Sequence, residues 1–148
     1  MSHALHRTRI RLLLAAWLTS LTLVGFAAGP SAELSPTAVV NAQLEALRAG
    51  DPAAAYGYAS PANQAMVGSP GEFAVMLQRH YSDMLSQASA RITLKARNEE
   101  QAQVLAELTQ PDGRQSAYVF VLSRQSNRAC DGCWMTDGVF PLQPANDQ

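Results

Sequence analysis

The sequence predicts an α+β fold in which short N-terminal helices pack on a curved antiparallel sheet of about four strands. Two observations carry that expectation. Ser35-Pro36, Asp51-Pro52, Ser60-Pro61 and Ser69-Pro70 each place an N-cap residue directly before a proline, giving four helix starts within 36 residues. A capping oxygen satisfies a free N–H of the first turn, and proline suits the next position because its φ is preset. Beyond Ala90 the spacing of apolar residues changes from the helical period to strict alternation, as in strands with one wet face.

The elements follow in order. Pro36 to about Ala49 reads as a helix with Val40, Leu44 and Leu47 on one stripe, stopped by Gly50. Asp51 caps an alanine-rich helix, Pro52 to about Ala59, and a third short turn follows Ser60-Pro61 and ends near Gly68. Ser69-Pro70-Gly71-Glu72 has the spacing of a capping box, and the helix it opens should run to about Gln87 with Phe73, Leu77, Tyr81 and Met84 inward. Strands are expected at 91–97, 101–109, 117–122 and 133–140, with turns at Asn98-Glu99-Glu100, Asp112-Gly113 and Asp131-Gly132. The domain should span 35–142, with a disordered tail at 143–148.

Ahead of the domain, Arg7, Arg9 and Arg11 precede an apolar run, Leu12 to Ala28, and then small residues. That is the layout of a secretory signal peptide over residues 1–32, or of an uncleaved N-terminal anchor. Either puts the domain outside the cytoplasm, periplasmic or secreted; membrane contact is expected only if the leader stays. Losing the three arginines leaves 8 basic against 12 acidic residues, a net charge of −4. No basic patch remains for a nucleic acid. The two cysteines, Cys130 and Cys133, are expected to be bridged in an oxidising compartment. With His80 the one histidine beyond the leader, a metal site is poorly supplied, and no cofactor is expected.

The run from Val39 to Tyr81, with Asp51, Ala59-Ser60-Pro61, Ser69-Pro70, Phe73 and Tyr81, resembles the opening of a bacterial family, domain of unknown function 4864. The segment Cys133-Trp134-Met135-Thr136-Asp137-Gly138-Val139 is similar to that family's closing strand. The resemblance covers roughly Pro36 to Leu142 and implies a nuclear transport factor 2-like cone. It implies no chemistry, because none is assigned to the family. The Cys130-Asp131-Gly132-Cys133 turn departs from its pattern.

Candidate sites divide between function and packing. Cys130 and Cys133 form either a structural bridge or a thiol–disulfide redox pair, but a reactive pair needs a lowered thiol pKa, and Asp131 beside it works against that. His80 has Asp83 three residues on, a spacing that serves acid–base work or merely a helix surface. Tyr58, Phe73, Tyr81, Tyr118 and Trp134 either line a ligand pocket or fill the core. Asp137 and Glu107 are candidate proton-transfer acids if they face inward, with Tyr118 as hydroxyl donor. The expected function is therefore non-catalytic binding of a small ligand or protein partner through a cavity or the sheet face. A small cavity enzyme and a periplasmic thiol protein are the alternatives. A homodimer through the open sheet stays open.

Overall fold

The computed structural model describes residues 29–127 and 130–143. The expected leader and tail lie outside the described residues except at 29–32 and 143. Five helices come first: α1 (Pro36–Arg48), α2 (Pro52–Tyr56), α3 (Pro61–Val67), α4 (Pro70–His80) and α5 (Ser82–Ser86). Four strands follow: β1 (Ser89–Arg97), β2 (Gln101–Thr109), β3 (Gln115–Ser126) and β4 (Asp131–Leu142). They form one antiparallel meander in the order β1-β2-β3-β4. The fold is α+β.

All four proline-led starts are capped as their sequences dictate. Ser35, Asp51, Ser60 and Ser69 accept from the backbone N–H groups of Ala38, Ala54, Asn63 and Glu72 at 3.2, 2.9, 3.2 and 3.2 Å. At α4 the box is complete, because the Glu72 carboxylate accepts from the Ser69 N–H at 2.7 Å. The end of α1 is equally determined by sequence. Gly50 takes φ +74°, its N–H donates to Leu47, and that of Asp51 donates to Ala46, the two bonds of a Schellman motif.

The helices lie on one face of the sheet. Val39, Val40, Leu44 and Leu47 of α1 and Phe73 and Leu77 of α4 meet Val104, Ala106 and Leu108 of β2 and Phe120 and Leu122 of β3. Phe120 is almost fully enclosed, a burial that contributes about 2–3 kcal/mol. Trp134 of β4 faces the same core, and the guanidinium of Arg97 in β1 sits 5.2 Å from its ring centre. Three strand spacings, about 14 Å, separate those two strands along the sheet, and the long side chains bridge them.

Buried glutamines tie the parts together. Gln87 donates to Leu44 and Met84 carbonyls, and Gln110 donates to the Asp83 carbonyl while accepting from Ser86. At the free side of β4, the Tyr58–Ser60 segment forms a short parallel bridge. Ser60 N–H donates to Thr136 O at 2.8 Å, and Thr136 N–H to Tyr58 O at 2.9 Å.

Three local expectations are corrected. The last helix does not run unbroken to Gln87; it breaks at Tyr81 (φ −136°, ψ 33°) and resumes as α5. The Tyr81 ring packs on Tyr118 and its hydroxyl donates to Val139 O, so contact with the sheet overrides helical continuity. β1 buries little beyond part of Ile92, because it is an edge strand and Lys95 bulges between Leu94 and Ala96. Asp131-Gly132 is the beginning of β4 rather than a turn between strands.

Candidate functional site

A cavity of about 220 Å³ opens between α1, α3, α4, α5 and β4. Its wall is mostly apolar: Leu47, Val67, Phe73, Leu77, Met84 and Phe120. Met66 and Phe140 stand at the mouth, 78% and 58% exposed. Phe140 lies over Gly138, where a Cβ would come within 3.1 Å of its ring. A glycine there lets the ring fold against the strand.

Four polar side chains join the lining: Gln43, Asn63, Tyr81 and Asp137. Gln43 breaks the apolar stripe of α1 and is buried; its Nε2 donates to Ala55 O at 3.1 Å, and its Oε1 accepts from the Thr136 hydroxyl at 2.8 Å. Asn63 Nδ2 donates to Thr136 O at 3.1 Å. The Tyr81 hydroxyl donates to Val139 O at 3.2 Å.

Asp137 reaches the cavity through a β-bulge. Gly138 pairs with Val121 and Thr136 with Leu122, so Asp137 is an extra residue between two consecutive pairs. A bulge re-aims side chains. Thr136 and Val139 keep their inward places, and Asp137 joins the cavity lining between them.

Of the residues singled out from sequence, Phe73, Tyr81 and Asp137 meet at this cavity. Tyr58, Tyr118 and Trp134 do not line it; they are packed in the core. Burial raises the Tyr58 phenol pKa; for Tyr118 burial comes first and the Asp83 carboxylate adds to it. His80 is exposed on the far side of α4, beside Glu72 and Arg79 on a shallow groove, and no ion pair joins it to Asp83 among the described residues.

The proposed acid–tyrosine pair does not form. Glu107 is exposed and sits across from Arg91 and Ala117, whereas Tyr118 faces inward beside Ala106. Neighbouring residues of a strand point to opposite faces, so Glu107 and Tyr118 are separated by the sheet. Asp137 lies next to the Leu122 pair, four residues along β3 from Tyr118, about 13 Å of strand.

Cys130 and Cys133 are at disulfide distance, with Cα atoms 5.6 Å apart. The pair staples the start of β4 instead of closing the β3–β4 hairpin. Cys133 is fully buried, and neither cysteine lines the cavity. Among the described residues no group of three or more His, Cys, Asp and Glu side chains could hold a metal ion. No helix of those residues is long and apolar enough to cross a membrane.

Sequence reasoning missed Gln43, Asn63 and Phe140. Gln43 left a signal, a polar residue inside the apolar stripe between Val40 and Leu44. Asn63 and Phe140 left none, since their places depend on how α3 and β4 meet.

No curated protein and no solved structure matches the chain. A family model does: the one described as a domain of unknown function (DUF4864) matches residues 31–148, and the chain belongs to that family.

Proposed function

We propose that this protein is an exported, non-catalytic binding module that holds a small, largely apolar ligand in the cavity beside β4. One observation carries the reading: the cavity is mostly apolar and open to solvent, and the one hydroxyl in its lining, that of Tyr81, is spent on Val139 O. Ligand sites of this kind are concave, mostly apolar and fitted with a few placed polar groups. An apolar cavity of about 150 Å³ accepts a benzene. At about 220 Å³ this one has room for a ring with a short arm.

The helical layer on one face of a four-stranded antiparallel meander supports a nuclear transport factor 2-like cone. The leader layout and the paired cysteines support export. The thiol alternative gains little, because the half-exposed Cys130 sits beside Asp131, whose negative charge works against a lowered thiol pKa.

The test is calorimetric titration with phenethyl alcohol. Saturable binding of one molecule per chain is expected. Val67→Trp, which fills the cavity from the end of α3, should abolish it while the far-ultraviolet spectrum stays native. Absence of saturable binding, or binding that survives the tryptophan, overturns the reading. N-terminal sequencing of secreted material checks export; an N-terminus still at Met1 in a cytosolic fraction refutes it.

A further inference from the structure

We infer that the ligand is a cation, a small apolar body carrying an ammonium group that Asp137 receives at the cavity mouth. The inference rests on the binding reading above and names the chemical class of ligand.

The first argument is hydrogen-bond accounting around the cavity. The side-chain donors of the lining already have acceptors inside the protein. Gln43 Nε2 donates to Ala55 O, Asn63 Nδ2 to Thr136 O, and the Tyr81 hydroxyl to Val139 O. Gln43 Oε1 is likewise taken, by Thr136. Each of the two amides keeps a second N–H, but the one charged group left unspent accepts only. The Asp137 carboxylate has no hydrogen bond or ion pair with any described residue. Asn63, with its nitrogen committed to Thr136 O, presents Oδ1 as a second acceptor. A ligand that completes this lining must bring donors.

The second argument is charge. The lining contains no Lys, Arg or His, so Asp137 is its one ionisable group besides the Tyr81 phenol. An anionic ligand would meet a like charge and no cationic side chain. An ammonium group offers three donors and opposite charge.

The third argument is the bulge. In a regular ladder the residue after inward-facing Thr136 would point to the opposite, outward face of β4. The register shift keeps Thr136 in the core and adds an unpaired acid to an otherwise apolar wall. Nothing in the packing of β4 uses that carboxylate.

The test titrates the protein with three probes of one shape: phenethylammonium, phenethyl alcohol and hydrocinnamate. Phenethylammonium should bind about tenfold more tightly than the alcohol, a difference of about 1.4 kcal/mol, and hydrocinnamate most weakly. Asp137→Asn should bring ammonium and alcohol within about twofold of each other. Asp137→Glu should restore the preference in part. The preference should also shrink with added salt, since the carboxylate is half-exposed. Equal binding of ammonium and alcohol, or a preference that survives Asp137→Asn, overturns the cationic class while the binding module stands. Failure of all three probes overturns both.

Discussion

The Thr136 hydroxyl donates to Gln43 Oε1 at 2.8 Å, joining α1 to β4 across 93 residues of chain inside the core. Both side chains are almost fully buried, so neither can turn to water. Thr136→Val leaves a buried acceptor without its donor and should cost about 1–3 kcal/mol in urea unfolding. Gln43→Met alone should also destabilise, because the Ala55 carbonyl loses its donor. The double variant should be less destabilised than the sum, by at least about 0.5 kcal/mol. Strict additivity would show that the bond contributes nothing.

The hydroxyl of Tyr81 holds the rim of β4 through Val139 O. Tyr81→Phe keeps the ring against Tyr118 and removes only that bond. A loss of about 1 kcal/mol is expected. Release of a bound alcohol probe should become faster, because Val139 lines the same cavity. Unchanged stability and release would mean that the rim is held by packing alone.

The capping box at α4 sets an acid limit. The Ser69 backbone N–H, then its hydroxyl, hold the Glu72 carboxyl below its ordinary range. A depressed folded-state pKa gives stability that is present above the unfolded value of about 4.3 and lost as pH falls through the folded one. The difference in melting temperature between wild type and Glu72→Gln should therefore close on acidification. A difference independent of pH would contradict the assignment. Ser69→Ala should cost about 1 kcal/mol at neutral pH.

At the other extreme, Tyr58 and Tyr118 have raised phenol pKa values, chiefly because burial disfavours the phenolate. The unfolded chain then releases protons first. Stability should fall as pH rises above about 10, and Tyr118→Phe should weaken that dependence.

For the cysteines, the loop between Cys130 and Cys133 is short, so its closure limits the unfolded chain only modestly. Replacing both by serine should cost about 1–2 kcal/mol on the loop-length model. Probe binding should not change, since neither residue lines the cavity. In reduced protein, alkylation of Cys133 should lag behind that of Cys130, which is half-exposed. Comparable fast reaction at both would reopen a thiol role.

What was legible in the sequence is local. Ser and Asp before proline state a cap, Gly50 states a stop, and alternation from Ala102 to Leu108 states which face of β2 is inward. The break at Tyr81 was hidden because it answers to Tyr118 and Val139 on the sheet. The cavity was half visible. Phe73 and Tyr81 share a helix face, whereas Tyr58, Tyr118 and Trp134 carry the same chemistry and fill the core instead. Asp137 reads in sequence as any strand acid. Its direction depends on one unpaired residue in β4, and register is settled between strands.

The short bridge from Tyr58–Ser60 to Thr136 has a consequence beyond the domain itself. A sheet with two free sides can template further strands from other chains. Here the Ser60 N–H and Tyr58 carbonyl already occupy the middle of one side. The other side is kinked at Lys95 and lined with Arg91 and Arg97. Neither border offers an unbroken ladder, so at high local concentration the native protein should resist strand-by-strand growth into fibrils.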